Sequence, residues 1–365
     1  MRELVHSNKN ERAFFAAANG GDGFFSFYDE IFSTDRLERR YLIKGGAGSG
    51  KSSFMRRIAD MAEQSGIDVE YYYCSSDYSS LDGIIIGGRV AIIDATAPHT
   101  VECALAGALD EIVDTGSFWD SRMLGAKREK IGELSRRKSE LYSGAYRYLE
   151  AALAIDRRCR ELAERYIDYE KLNRAVKRIV SSLDGGKVYE QTVGLRRSIG
   201  MKGRCRMDSY ERSAERLIAV ECGDFTGGIF IKALVDEAKR KKCRVKVSYD
   251  PLNNSIPDAV LFCDGGVAVV VGENSAENSQ KVNMKRFWNF SGVEKAEEKS
   301  VKSELRNGGR IINMLTEAAC GKLSEAGEMH FALEKIYGEA MDFDSEREFC
   351  EKLGKGILER FKLPI

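Results

Sequence analysis

An internal repeat at a shift of about 176 residues constrains the fold of this 365-residue chain more than any other feature. Identical residues fall opposite each other from residue 40 to residue 82, and Phe118-Trp119 reappears later as Phe287-Trp288. A chance match would not keep its register over this distance, so we expect one structural unit folded twice. The identical pairs at this shift are Arg40 with Arg216, Phe54 with Phe230, Asp60 with Asp236, Ala62 with Ala238, Val69 with Val245, Tyr73 with Tyr249, Ser79 with Ser255 and Asp82 with Asp258.

Each copy alternates short apolar strands with an amphipathic helix. The predicted strands are 41–44, 69–74 and 90–94 in the first copy and 216–220, 244–249 and 267–271 in the second, with helices at about 51–65 and 229–241. Strands separated by helices of this length run parallel, with helices on both faces of the sheet. The predicted fold class is therefore α/β, with two tandem domains built on mostly parallel sheets.

Long helical stretches rich in Lys, Arg and Glu follow each core, at about 121–183 and about 292–361. Their apolar residues recur at helical spacing. We therefore expect domains at 1–189 and 190–365, each an α/β core with a helical appendage. Packing with a solvated charged face is the usual role of such helices; a lid or a partner-binding arm is the alternative.

Composition limits the classes of partner and the compartment. Lys plus Arg and Asp plus Glu both total 57, so the strong positive charge of a dedicated nucleic-acid binder is missing. The nine cysteines are scattered along the chain and never fall in the close pairs that zinc sites need. They are typical of a protein in the reducing cytosol, where disulfides are rare. No segment has the apolar length of a signal peptide or membrane span. We expect a cytoplasmic protein that does not enter a membrane.

One motif in the first copy carries chemistry. Residues 45–52 fit the pattern G-x-x-x-x-G-K-[ST] and stand between a predicted strand and a predicted helix. In this context the backbone N–H groups and the helix start cradle phosphates, the lysine reaches the β- and γ-phosphates, and the serine hydroxyl ligates Mg²⁺. The residues predicted to bind ATP and magnesium are Gly45, Gly46, Ala47, Gly48, Ser49, Gly50, Lys51, Ser52 and Ser53.

A second metal-facing acid is expected at the end of a neighbouring buried strand. Asp94 follows the apolar run 90–93 and fits that role. Asp77 and Asp82 also follow or precede strands and could orient the attacking water, although turn capping is the simpler role for at least one of them. His99 could sense the γ-phosphate or serve the loop structurally. Together with Lys51, these are the predicted catalytic residues.

The second copy has lost this apparatus. At the 176-residue shift, Gly227 stands opposite Lys51, and Gly228 stands opposite Ser52. After one inserted residue, Asp94 falls on Val271, and the acids Glu221 and Asp224 lie in the loop itself, where they would repel a polyphosphate. We therefore expect one competent nucleotide site, with the second copy as a regulatory or interaction half.

The chain resembles an uncharacterised bacterial family of cytosolic tandem P-loop ATPases over nearly its full length. The resemblance rests on 14–19 with 23–26, on the loop 45–53, on Asp77 with 80–82, and on 94–99. It implies the fold of P-loop nucleoside triphosphate hydrolases and ATPase chemistry. Ala47 departs from the proline common in that family, and the degenerate second copy departs from its usual second intact loop.

Three functions follow as hypotheses. The first is a Mg²⁺-dependent ATPase whose hydrolysis changes the relation of the two halves. The second is a small-molecule or nucleotide kinase with the helical segment after Ser121 as a lid, and the third is an ATP-binding switch with little hydrolysis. The residues do not predict the preferred base, a protein partner, an arginine finger or the oligomeric state.

Overall fold

A computed structural model of the chain describes residues 3–4, 12–183, 185–221, 225–272 and 279–362. After a short strand β1 (Glu3–Leu4), the first half contains a strand, a hairpin, a short helix and an α/β core, followed by helices. Its elements are β2 (Arg12–Phe15), β3 (Ala17–Gly20), β4 (Gly23–Ser26), α1 (Tyr28–Ile31), β5 (Arg39–Lys44), α2 (Lys51–Gln64), β6 (Val69–Tyr73), β7 (Leu81–Ile86), β8 (Val90–Asp94), β9 (Asp110–Asp114), a 3-10 turn (Thr115–Phe118), α3 (Ser121–Ala126), α4 (Arg128–Glu164) and α5 (Tyr169–Ser181).

Among the described residues, the second half repeats this order without a counterpart of α3. Its elements are β10 (Glu190–Val193), β11 (Arg197–Gly200), β12 (Gly203–Arg206), α6 (Ser209–Arg212), β13 (Arg216–Glu221), α7 (Gly227–Lys241), β14 (Arg244–Tyr249), β15 (Pro257–Phe262), β16 (Val267–Val271), β17 (Gln280–Asn283), a 3-10 turn (Met284–Phe287), α8 (Lys295–Gly338) and α9 (Phe343–Lys362). The duplication read from the sequence therefore extends to the order of the elements.

Two six-stranded sheets form the cores, in the orders β2-β6-β7-β8-β5-β9 and β10-β14-β15-β16-β13-β17. Neighbouring strands are parallel except at β7 and β15, which run antiparallel to both neighbours. The predicted α/β class with mostly parallel sheets is confirmed. The antiparallel strands were not foreseen; β7 joins its neighbours through 74–80 and 87–89, which are too short for a parallel crossover.

The first sheet is buried because helices cover it. Ala91, Ile92 and Ile93 of β8 have 0% exposure, and so do Phe54 and Ile58 on the inward face of α2. Burial of both faces explains the continuous apolar run of β8. Because β5, β6 and β8 run in the same direction, their carboxyl ends lie at one edge of the sheet, where the loop before α2 begins.

The two long helices α4 and α8 pack side by side and run antiparallel. Near one end, Arg158 of α4 lies 3.3 Å from Glu304 of α8. Further along, a Cβ on Gly144 would lie 3.9 Å from the side chain of Lys322. The helices predicted after each core therefore form one arm shared by both halves.

The last helix of each half packs on the core of the other half. Val176 of α5 belongs to the same apolar cluster as Phe230 of α7. Ile357 of α9 belongs to the cluster that contains Phe54 of α2. Each exchanged helix is preceded by an isolated backbone bridge to the other half, one between residues 167 and 288 and the other between residues 119 and 341. The two halves are thus joined by exchanged helices, which the repeat alone did not reveal.

None of the described helices has the length and apolar character needed to cross a lipid bilayer.

Candidate functional site

The glycine-rich loop (residues 45–52) runs from the end of β5 into the first turn of α2. Gly48 and Gly50 have φ values of 68° and 76°, in the left-handed region that favours glycine. Gly50 is the N-cap of α2 and provides no side-chain hydrogen bond to the helix start. The N–H groups and dipole at the start of this 14-residue helix therefore favour an anion at the loop.

The Lys51 ammonium lies at the centre of the loop. Its Nζ donates a hydrogen bond of 2.7 Å to the carbonyl oxygen of Gly46. It also lies 3.6 Å from Oδ2 of Asp94, and both side chains are largely buried, at 12% and 14% exposure. One ammonium and one carboxylate thus face each other at the mouth of the loop.

Asp94 reaches this place because β8 pairs in parallel with β5, with Asp94 in register with Ile43. Its other oxygen, Oδ1, accepts hydrogen bonds from the N–H of Thr96 at 3.0 Å and from the hydroxyl of Thr96 at 2.5 Å. These bonds fix the carboxylate, so that Oδ2 is directed toward Lys51. The structure thus brings together Lys51 and Asp94, the residues predicted for phosphate and metal binding.

The hydroxyls of Ser49 and Ser52 form hydrogen bonds that stabilise the loop. Ser49 Oγ donates to the carbonyl oxygen of Gly46 at 3.0 Å and lies 3.1 Å from Oγ1 of Thr115. Ser52 Oγ accepts a hydrogen bond of 3.0 Å from the N–H of Leu81. A Cβ on Gly45 would lie 2.1 Å from Oγ1 of Thr115, so only glycine fits there. Thr115 was not predicted, since it follows β9 and belongs to no motif.

Asp77 closes a turn. Its carboxylate accepts hydrogen bonds from the hydroxyls of Ser79 and Ser80, at 2.7 and 2.8 Å, and from the N–H of Ser79 at 3.2 Å. Burial opposes ionisation, but these hydrogen bonds outweigh it and hold the pKa of Asp77 below its usual value. The Asp77 carboxylate therefore caps a turn, which is the simpler of the two roles that the sequence suggested for it.

Asp82 and His99 form a buried pair beside Asp94. Their exposures are 4% and 8%, and Oδ2 of Asp82 lies 3.2 Å from Nε2 of His99. Burial raises the pKa of Asp82; His99 opposes that rise and the nearby Asp94 adds to it. The His99 ring stacks on Tyr28 with centroids 5.0 Å apart, and its Nδ1 has no hydrogen-bond partner among the described residues.

A cavity of about 1550 Å³ brings the predicted residues together. Those that line it are Gly45, Gly46, Ala47, Gly48, Ser49, Gly50, Lys51, Ser52, Ser53, Asp77, Asp82, Asp94 and His99. Residues of the helical arm complete the wall, namely Lys138, Tyr142, Tyr146 and Arg147 of α4 and His330 and Glu334 of α8. The arm residues were missed because nothing in their own sequence marks them as part of a site; those of α8 reach the loop only because that helix crosses to the first half.

The contact between α8 and the loop is close. A Cβ on Gly48 would lie 2.3 Å from the carbonyl oxygen of Glu334, so the helix backbone rests directly on the loop. Phe343, at the start of α9, would lie 3.3 Å from a Cβ on Gly50. The second half therefore supplies part of the wall of a site whose motif lies in the first half.

The corresponding loop of the second half is arranged differently. Arg160 of α4 donates a hydrogen bond of 2.9 Å to the carbonyl oxygen of Phe225 and is held by Asp156 at 2.7 Å. A Cβ on Gly228 would lie 2.3 Å from the Ile256 side chain. The loop acid Asp224 lies outside the described residues.

The residues of the second half that stand opposite the predicted site have different surroundings. Asp258, opposite Asp82 in the repeat, is ion-paired with Arg197. Glu221 is paired with Lys281 at 2.9 Å. Val271 stands where the first half has Asp94, and its carbonyl oxygen accepts from Arg196 at 3.1 Å. In the described part of the second half, the positions opposite the predicted site are thus occupied by ion-paired acids and by Val271, and not by a loop lysine and a metal-facing acid.

Within the described ranges, no group of three or more His, Cys, Asp or Glu side chains is placed to hold a metal ion by itself. A magnesium ion at the loop would need ligands from a bound triphosphate and water in addition to Ser52 and Asp94. The donor chemistry of a hydroxyl and a carboxylate suits that ion.

No protein-family model matches the chain, and no curated protein or solved structure matches it either. The resemblance to tandem P-loop ATPases accordingly stays a prediction, and the geometry of the site carries the functional argument.

Proposed function

We propose that the first half binds ATP with Mg²⁺ and hydrolyses it, with a single competent site at the glycine-rich loop. The observation that carries the proposal is the 3.6 Å approach of Lys51 Nζ to Asp94 Oδ2 at the mouth of a loop with two left-handed glycines and a helix start. A loop lysine, a following serine and a strand-end aspartate are the parts that phosphoryl transfer requires in this class of site.

In this proposal the loop N–H groups bind the phosphates, and Lys51 leaves the carbonyl oxygen of Gly46 to bind the β- and γ-phosphates. Ser52 and Asp94 would hold Mg²⁺, which when bound neutralises charge that develops on the phosphate oxygens. The fixed orientation of Asp94 by Thr96 supports that role, because a preorganised ligand needs no rearrangement on binding.

The Asp82–His99 pair is our candidate for orienting the attacking water. Both side chains line the same cavity as Lys51 and Asp94. Burial raises the pKa of the Asp82 carboxyl group, which makes it a stronger proton acceptor than an exposed aspartate. Asp77 is less suited, since its oxygens are engaged by Ser79 and Ser80.

A kinase remains the second candidate because of the size of the cavity. At about 1550 Å³ it exceeds the roughly 300–1,000 Å³ usual for small-molecule sites. The space beside the glycine-rich loop, walled by Tyr142, Tyr146 and Arg147, is large enough for an acceptor next to a nucleotide.

Incubation of the pure protein with ATP labelled on its γ-phosphate tests these functions. An ATPase releases labelled phosphate without any added compound, whereas a kinase does so slowly and transfers the label once its acceptor is supplied. Asp82→Ala separates both from a switch, because a protein that barely hydrolyses ATP keeps its binding and its slow turnover. Absence of ATP binding by the wild-type protein would refute all three.

A further inference from the structure

Lys138 of α4 is a cation in the wall of the cavity that the motif does not account for. It lines the same cavity as Lys51 and Asp94, although the three come from separate elements. Its side chain is half-buried. A half-buried lysine that lines a cavity has lost part of its hydration, which an anionic ligand can replace.

The charges around Lys138 identify the part of the cavity it faces. Burial lowers the pKa of Lys138, the carboxylate of Glu334 opposes that change, and the like charge of Lys51 adds to it. Glu334 in turn lies 3.4 Å from Nε2 of His330. Lys138 therefore faces the part of the cavity that Lys51 and Glu334 also line.

The backbone contact of α8 supports the same location. Glu334 rests on Gly48, in the middle of the glycine-rich loop, so closely that a methyl group on Gly48 would lie 2.3 Å from its carbonyl oxygen. A side chain that interacts with both Glu334 and Lys51 is thereby confined to the loop. Elsewhere the cavity is lined by Tyr146 and Asn19, and the Tyr146 hydroxyl donates a 2.9 Å hydrogen bond to Oδ1 of Asn19.

The second half provides an internal comparison. The ends of α4 and α8 correspond at a shift of 174 residues, since the bridges at Ile167 and Met341 occupy equivalent places. At that shift Lys138 corresponds to Ile312, a buried member of the apolar cluster that Phe225 packs against. The half with a degenerate loop thus has an apolar residue where the half with the intact loop has a lysine.

We propose that Lys138 binds the γ-phosphate of the nucleotide and acts as a catalytic cation supplied by the helical arm. This inference rests on the proposed function, because it assigns a further residue to the same site. Two ammonium groups on opposite sides of the terminal phosphate would stabilise the charge on its oxygens during transfer, as cationic fingers do in phosphoryl-transfer enzymes.

The test compares ligands that differ by one phosphate. Calorimetry with Mg²⁺ and either ADP or a nonhydrolysable ATP analogue is carried out on the wild type, Lys138→Met, Lys138→Arg and Arg137→Met. Arg137 is the matched control, since it adjoins Lys138 on α4, is exposed and pairs with Glu140 at 3.9 Å on the same helix. Thermal unfolding of each variant checks that it is folded.

Loss of one charge-assisted contact predicts that Lys138→Met weakens the triphosphate analogue roughly 10- to 100-fold and changes ADP affinity less than about twofold. Lys138→Arg restores most of the difference, and Arg137→Met changes neither ligand. Equal weakening of both ligands, or no change in either, would overturn the role of Lys138 while leaving ATP binding intact. A wild type that binds neither ligand would instead overturn the proposed function itself.

Discussion

Glu70 and Lys246 occupy the same position in the two halves, 176 residues apart, and bind each other: the Lys246 ammonium lies 2.9 and 3.0 Å from the two carboxylate oxygens of Glu70. Phe15 and Leu195, which precede the two hairpins, likewise exchange backbone hydrogen bonds of 2.8 and 2.9 Å. Equivalent positions that contact each other indicate an approximate two-fold axis between the halves. The duplicated units therefore face each other through their β2 and β10 sides.

The Glu70–Lys246 pair predicts an acid-sensitive interface. Burial opposes ionisation of Glu70, but Lys246 and Arg12 outweigh it and lower its pKa to about 2. A lowered pKa stabilises the fold above the usual value of 4.5, and that contribution is lost as the pH falls toward 2. Glu70→Gln should therefore destabilise the protein at pH 7, by about 3–5 kcal/mol if Lys246 is left unpaired.

Urea unfolding at pH 7 and at about pH 3 measures this effect. The difference between wild type and Glu70→Gln should shrink at the lower pH, and Glu63→Gln, on the exposed face of α2, should match the wild type at both. A Glu70→Gln deficit that is the same at both pH values would show that the charge of Glu70 is not its cause.

Asp82 and Asp258 are repeat partners that should respond oppositely to the same change. Burial raises the pKa of Asp82. Burial also acts on Asp258, but the charges of Arg197 and Arg196 outweigh it and lower its pKa. Ionised Asp82 is therefore destabilising above its folded pKa, whereas ionised Asp258 contributes stability above the usual value of 3.8.

We expect Asp82→Asn to raise the thermal unfolding midpoint at pH 7, with the gain disappearing as the pH approaches 3.8. Asp258→Asn should lower the midpoint at pH 7, and its deficit should diminish as the pH falls below 3.8. Scanning calorimetry from pH 3 to pH 8 measures both. Shifts of the same sign would contradict the assignment of Asp82 to a site that sacrifices stability for function.

Much of the fold follows from local patterns in the chain. The apolar run ending at Asp94 and the loop ending at Lys51 predicted two side chains that the structure brings to 3.6 Å, because strand pairing places neighbouring strand ends together. The repeat predicted two similar cores, and the sheets confirm their class. Lys51 and Asp94 were accessible to sequence reasoning because each has a fixed place relative to a strand.

The remainder depends on contacts between distant segments. Glu334 reaches the loop only because α8 crosses to the first half, and no local pattern specifies which half a helix packs on. Lys138 lines the cavity from α4, and its own sequence does not specify that this side of the helix faces the loop. Thr115 contacts Ser49 through strand β9, whose position at the sheet edge was not predicted. One signal was present: Asp168-Tyr169 and Asp342-Phe343 repeat at a shift of 174 residues, at the starts of the exchanged helices.

Gly48 and Gly66 provide a matched test of the contact between α8 and the loop. Both have left-handed φ values, 68° and 74°, but a Cβ on Gly48 would strike the Glu334 backbone, while one on Gly66 would meet no atom of the described residues. Gly66→Ala should cost about 1–2 kcal/mol through backbone strain alone. Gly48→Ala should cost roughly 1–3 kcal/mol more through overpacking and should also weaken nucleotide binding.

Urea unfolding of the two variants, with nucleotide affinity measured in parallel, provides the comparison. If the two glycine variants lose equal stability and both bind nucleotide normally, α8 does not rest on the loop as described.

Asp94→Asn tests the metal ligand. The amide retains an oxygen that can accept the hydrogen bonds from Thr96, so the local structure should persist. Loss of a metal-facing charge should lower turnover by roughly 100-fold or more. In calorimetry, the nucleotide affinity of the variant should no longer depend on Mg²⁺. Its affinity in the presence of a chelator should change little. An unaltered dependence on Mg²⁺ would show that Asp94 is not a metal ligand.

Calorimetric titration of the protein with Mg²⁺ and ATP measures directly whether the glycine-rich loop binds a nucleotide. The wild type should bind at one site per chain, and Lys51→Ala should weaken binding at least about tenfold, the value of one lost charge-assisted contact. Lys232→Ala, which removes an exposed lysine from the equivalent helix α7, should leave binding unchanged. Absence of a binding signal with millimolar ATP, or equal affinities of wild type and Lys51→Ala, would contradict a nucleotide site at the glycine-rich loop.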